Sequence, residues 1–380
     1  MSSHSSILCV ANWPSDVGYA WWLMESYWVK ISELYQASYT TIIAYPQINT
    51  VPAEIANSDI ELVNFDFRAT TISRVIENIN FIKKHNVKVI YLSDYGAADI
   101  TYALYRLAGV EKIIVHDHTP GLRTKPKGLK KFLKLCIVNM PLIKVDAAFG
   151  ATDYVKRRLQ DVSCVAPSRC YSIQNGIDFS PNQLIREPHP LSAKLPKDKK
   201  IIVTASRANK YKGIEFALDV VAELVNRRGL DNFVYLFCGD GPDLAHFKEY
   251  AKQRGIESYC YFPGRVEKVQ QLFKNCHIAF HPSNGEVGYS LAILEYMASE
   301  LPVVVPDNPS VCLATRDKQS GQVYKDKDKE RAAEALALYL EDEQMRVTHG
   351  KVGKSDVIEK YTLTSTHTAL ENAFLNVVRR

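Results

Sequence analysis

Short apolar runs alternate along this chain with longer amphipathic stretches. Ile7-Leu-Cys-Val precedes a helical pattern over 20–34 and the run Thr41-Ile-Ile-Ala; Lys88-Val-Ile-Tyr-Leu, Lys112-Ile-Ile-Val and Val145-Asp-Ala-Ala-Phe come later. Apolar runs of this length bounded by polar turns read as buried strands, and their alternation with helical periods predicts parallel β–α–β units. The rhythm stops over 180–199, a stretch rich in Pro, Lys and polar residues, and resumes at Ile201. Strands are then expected at 201–204, 233–238, 259–262, 278–280 and 302–305, with helices over 213–228, 242–254 and from Ser290. The prediction is an α/β protein of two Rossmann-like domains, 1–180 and 181–360, followed by a C-terminal helix in 361–380 that packs back on the first domain.

The length of 380 residues supports this division, because one hydrophobic core seldom serves so long a chain. A net charge of +5 is too mild for a nucleic-acid partner, which calls for a concentrated basic face. The eight cysteines are scattered without C-x-x-C or paired spacing, which favours a reducing compartment. The opening Met-Ser-Ser-His-Ser-Ser lacks the cationic region of a signal peptide, and no apolar run approaches the roughly 20 residues that span a bilayer. A cytoplasmic protein is expected.

Candidate chemistry concentrates in the second half. Arg207 and Lys212 follow the apolar run Lys200-Ile-Ile-Val-Thr-Ala205, so both cations fall at the carboxyl end of a strand, where open α/β sheets bind ligands. Two fixed cations suit a diphosphate and the charge that grows on a departing oxygen. An isolated R-x4-K is more often a pair of solvated loop charges; the strand-end position and Gly213 opening a helix favour the phosphate. Further on, Ser290 is placed to cap a helix over 291–299, whose free N–H groups would face an anion. Gly288 lets backbone approach a ligand. Glu295, about a turn into that helix, suits ribose hydroxyls, against the plainer reading of a helix-surface glutamate.

These residues carry a resemblance. Arg207-x4-Lys212-Gly213, Cys238-Gly-Asp-Gly-Pro242, Phe262-Pro-Gly-Arg-Val266, His281-Pro-Ser283 and Leu294-Glu-Tyr-Met-Ala298 closely resemble, in order and spacing, the retaining family 4 glycosyltransferases of the GT-B fold. Asn175-Gly-Ile-Asp178 is similar to the segment that ends the family's first domain. The resemblance implies two domains facing a central cleft and a nucleotide diphosphate sugar as co-substrate, with no metal required. It also implies transfer of a hexose-type sugar to a glycan or glycolipid acceptor in surface polysaccharide assembly. Arg207 and Lys212 would hold the donor diphosphate, Glu295 the ribose, the backbone around Arg265 and Val266 the base, and Glu286 the donor sugar. The loop and helix start Gly288-Tyr289-Ser290-Leu291 would complete the donor site. In the first half, Val17-Gly18 resembles the family's phosphate-approaching glycine loop, though a plain turn glycine reads as well, and His118 matches a histidine placed beside sugar and acceptor. Counting from Pro282-Ser283 puts Glu286 at the family's first glutamate position; counting back from Glu295 lands on Val287.

His116-Asp-His118 also reads as a metal pair, and Asp326-Lys-Asp328 as a solvated turn. All four tryptophans fall among the first thirty residues: Trp21, Met24 and Trp28 share one helical face suited to a core, while Trp13 and Trp22 are left to line an acceptor groove. Between Asp117 and Asp146 there is no acid, whereas Arg123, Lys125, Lys127, Lys130, Lys131, Lys134 and Lys144 supply cations beside an apolar stripe of Leu129, Phe132, Leu133, Cys136 and Ile137. This is the pattern of a peripheral contact with anionic membrane through 123–144, or of a surface helix burying its stripe in the protein. Two rivals to a transferase stand: a nucleotide-sugar epimerase or hydrolase of the same fold, and a catalytically silent nucleotide-sugar-binding subunit.

Overall fold

The computed structural model describes residues 4–18, 20–178 and 189–379, so the expected boundary at 180/181 lies outside the described residues. The chain forms two compact units, one from 1–119, 123–175 and 364–380, the other from 120–122 and 176–363.

The first unit is a seven-stranded parallel sheet. Its strands are β1 (Ser5–Val10), β2 (Tyr39–Tyr45), β3 (Glu61–Asn64), β4 (Val87–Ser93), β5 (Lys112–Asp117), β6 (Ala147–Gly150) and β7 (Cys170–Ser172), in the order β3-β2-β1-β4-β5-β6-β7. Helices α1 (Trp21–Tyr35), α2 (Ile72–Lys84), α3 (Ile100–Leu107), α4 (Gly128–Val138) and α5 (Asp153–Asp161) connect them. Central strands are buried throughout, as in Ile7 to Val10 and Val89 to Leu92, which is why they read as unbroken apolar runs. Of the tryptophan face, Trp28 and Met24 are buried. Trp21 is only half-buried, its ring 6.0 Å from that of the exposed Trp13, because it opens α1 at the edge of the core.

The second unit is a six-stranded parallel sheet ordered β10-β9-β8-β11-β12-β13. Its strands are β8 (Lys200–Ala205), β9 (Phe233–Cys238), β10 (Cys260–Gly264), β11 (Ile278–Phe280), β12 (Val303–Pro306) and β13 (Gly321–Tyr324). Helices α6 (Ile214–Asn226), α7 (Leu244–Gln253), α8 (Gln270–Phe273), α9 (Leu291–Ala298), α10 (Lys329–Glu341) and α11 (Glu343–Lys360) cover it. Two buried clusters fill the interior, one built around Leu218, Phe237 and Leu336, the other around Val203, Leu294 and Met297. Strand order reverses between β8 and β11, and the carboxyl ends of those two strands are where such a sheet leaves a binding crevice.

The last helix, α12 (Leu363–Val378), belongs to the first unit over most of its length. There Thr366 Oγ1 donates to the Gln174 carbonyl (2.7 Å), His367 Nε2 meets Ser26 Oγ (3.1 Å) and Phe374 packs edge-on against Tyr35.

Candidate functional site

In the second unit the chain leaves β8 at Ala205 and turns back over the strand ends. Glycines let it do so. A Cβ at Gly239 would overlap the carbonyl oxygen of Ser206, and one at Gly213, where φ is +73°, would overlap the carbonyl oxygen of Pro282. The Lys210–Lys212 turn therefore lies directly on the segment that follows β11.

That contact joins Lys212 to Glu286. Lys212 Nζ lies 2.6 Å from Glu286 Oε1, with side chains 13% and 9% exposed, and His281 Nε2 approaches the same oxygen at 3.1 Å. Ser290 Oγ is 3.3 Å from that imidazole nitrogen and accepts the Ile293 N–H (3.4 Å) as N-cap of α9. Burial alone would raise the Glu286 carboxyl; the Lys212 charge and the His281 hydrogen bond outweigh it and hold the group near 2. Burial works against the Lys212 ammonium too, yet Glu286 and Tyr211 keep its pKa above the ordinary value.

Glu286, rather than Val287, thus carries the carboxylate that meets the lysine. Its backbone is secured: Gly121 N–H donates to the Glu286 carbonyl (2.8 Å), and Glu286 N–H reaches the buried Ser310 Oγ (3.4 Å). Gly288 N–H donates to the Ser310 carbonyl (2.7 Å).

The other expected residues take different settings. Arg207 is exposed in the loop after β8, and Arg265 is exposed just past β10, beside a half-buried Val266 that packs on the second cluster. The Tyr289 side chain is buried in that cluster, 5.2 Å from the Tyr361 ring, so only its backbone is offered to a ligand. Leu291 is half-buried at the start of α9. Glu295, half-buried one turn on, accepts a hydrogen bond from Gln270 Nε2 (2.9 Å); loss of water raises its carboxyl to about 7 against that hydrogen bond. Asp328, of the D-x-D copy, accepts the Arg331 N–H (3.1 Å) as N-cap of α10.

Gly18 and His118 belong to the first unit. Gly18 is exposed at φ +71° in the turn before α1. The His118 ring lies 4.1 Å from that of His116, and burial lowers its pKa to about 4, so it is neutral at physiological pH. Its backbone N–H donates to Asp94 Oδ1 (2.6 Å). Asp94 sits at the end of β4 with φ +61°, and burial raises its carboxyl to about 7. Sequence reasoning passed over Asp94, Gln270 and Ser310, and took His281 only as part of a motif. The signal for His281 was a histidine placed right after a buried strand.

The fold is that of the GT-B proteins, two parallel Rossmann-like sheets. A glycosyltransferase from Rickettsia africae superposes with a TM-score of 0.80 over 100% of both chains at 17% identity, and Anabaena Alr3699/HepE in complex with UDP with 0.74 over 98% of this chain and 100% of that one at 14%. Residues 186–356, in the second unit, match the family model of Glycosyl transferases group 1. It is 24% identical over 192 residues to the D-inositol 3-phosphate glycosyltransferase of Corynebacterium aurimucosum; the match takes in 48% of this chain and 45% of that one, so the chain spans under half the length of this relative.

Proposed function

We propose that the protein is a retaining glycosyltransferase that moves a hexose from a nucleotide diphosphate sugar to a glycan or lipid-linked acceptor at the cytoplasmic face of a membrane. The observation that carries this reading is the buried cation Lys212 at the reversal point of the second sheet, beside the N-terminus of α9. In this reading Lys212 and Arg207 face the diphosphate, and the free N–H groups at the start of α9 add positive potential. Glu286 then meets the donor sugar and Glu295 the ribose. The bond from the anomeric carbon to phosphate oxygen breaks while the acceptor oxygen bonds to the same face. The acceptor's proton passes to the departing phosphate, which leaves as nucleoside diphosphate. Cations and a helix end carry the leaving group, so activity is expected to persist in EDTA.

The test is a thermal-shift panel of UDP, GDP, ADP and dTDP on the wild type and on Arg207→Ala/Lys212→Ala. A ligand that binds the native state alone, at about 100 times its Kd, adds about 2.7 kcal/mol. One nucleotide stabilising the wild type and not the variant supports the reading; no response from either sinks it. Product analysis with and without acceptor then separates transfer from hydrolysis or epimerisation, and absence of turnover with intact donor binding would point to the silent subunit.

A further inference from the structure

Helix α4 is turned outward. Leu129, Phe132, Leu133, Cys136 and Ile137 recur at the spacing of one helical face, and in a water-soluble helix that face seeks the core. Here every one of them is exposed, Leu129 to 71% and Phe132 to 61%. The residues that turn toward the protein are the buried Val138 and the half-buried Lys134 one turn before it. So the apolar face of the helix looks away from the molecule, and a lysine lies on the inner side.

The apolar surface extends past the helix. Leu142, in the turn after α4, is exposed, and its backbone carbonyl accepts from Arg106 Nε (3.1 Å), which ties the turn to α3. On α3 itself Leu107 is exposed as well. Among the described residues, Lys127, Lys130, Lys131 and Lys134 form no ion pair, and the lysine-rich segment contains no acid. Scattered surface leucines need no explanation; five exposed apolar residues on one helical face with unpaired cations beside them do.

We propose that this face of the first unit, α4 with the following turn and α3, is a docking surface for an anionic lipid bilayer. Phe132, Leu129, Leu133 and Ile137 enter the region between headgroups and acyl chains, while Lys127, Lys130 and Lys131 meet the headgroup phosphates. Charge decides between a membrane and a second copy of this chain. An isologous contact would set lysines against lysines with no acid on the segment to offset them, whereas an anionic surface complements every one. The inference rests on the glycosyltransferase reading only for its purpose, to hold the enzyme where lipid-linked acceptors reside; the surface is tested without any sugar.

The experiment is flotation of the full chain with vesicles of phosphatidylcholine alone and with about 30% phosphatidylglycerol, alongside Phe132→Ser/Ile137→Ser and Lys130→Gln/Lys131→Gln. The wild type is expected to float with the anionic vesicles and not with the neutral ones. The serine pair lowers partition by at least about tenfold, and each lysine exchanged lowers it by about fivefold. A polarity-sensitive dye on Cys136, the exposed cysteine among the eight, shifts to the blue on anionic vesicles alone. Failure of the wild type to prefer anionic vesicles overturns the proposal, as do variants that float like the wild type. A dimer in solution that Phe132→Ser/Ile137→Ser splits would assign the face to a second copy and also overturn it. An unchanged nucleotide-induced thermal shift in the variants shows that they are folded. Loss of that shift from the wild type would break the donor-site reading without touching the vesicle result.

Discussion

Glu286 and Glu295 occupy one loop and the helix that follows it, the first buried and the second half-buried, yet the more buried one is held near 2 and the other pushed up to about 7. Partners make the difference. Glu286 faces a lysine ammonium and an imidazole, whereas Glu295 has a neutral amide. A buried carboxylate keeps its charge when a cation shares its site and loses it when only a neutral donor does. The glutamate assigned to the sugar is therefore committed to its charge before any ligand arrives. The one assigned to ribose is poised to gain or lose a proton near neutral pH.

Removing the cation erases the contrast at the largest cost. Lys212→Ala leaves Glu286 buried without its counter-charge, so its pKa climbs out of the acid range, and the protein loses about 3 kcal/mol in urea unfolding. Turnover falls by about 100- to 1000-fold as the leaving-group stabiliser goes. An unfolding curve and rate like those of the wild type would mean the pair does neither job.

The contrast also has a sign in pH. The Glu295 carboxyl titrates near 4.5 when unfolded and near 7 when folded, so between those values the folded state keeps a proton the unfolded state has lost. Stability then declines as pH rises across that window, by about 3 kcal/mol in all. Glu286 acts in reverse: its contribution is complete above about 4.5 and is lost as pH falls toward 2. Glu295→Gln removes the first slope and Glu286→Gln the second, read from urea midpoints across the pH range. A Glu295→Gln profile parallel to the wild type would refute the assignment. Ribose held by an ionised Glu295 also predicts that nucleotide affinity rises with pH through about 7 in the wild type and stays flat in Glu295→Gln.

Much of the scaffold was legible from apolar runs. The strands that become β1, β2, β4, β5, β8, β9 and β11 read correctly because parallel strands are buried on both faces and need no alternation. Strands β3, β7 and β13 are short or half-exposed and left no comparable run. For α4, periodicity announced an apolar stripe but not its direction, since period fixes which residues share a face and tertiary packing fixes where the face looks. Residue type likewise marked Lys212, Glu286 and Ser290 as chemically apt. That one imidazole, His281, touches both Glu286 and Ser290 depends on how the 281–290 segment folds back on itself, which spacing does not encode.

The smallest expected effect is the most pointed. If Lys212 is held by Glu286 until a diphosphate takes it, releasing it in advance should tighten nucleotide binding while transfer is lost. Calorimetric UDP affinities for the wild type, Glu286→Gln, Lys212→Ala and Lys212→Ala/Glu286→Gln close the cycle. Glu286→Gln is expected to bind UDP roughly tenfold more tightly, a difference of about 1.4 kcal/mol, and the gain is expected to vanish when Lys212 is absent. An equal gain in the Lys212→Ala background, or weaker binding by Glu286→Gln, would contradict the sharing of Lys212 between carboxylate and diphosphate.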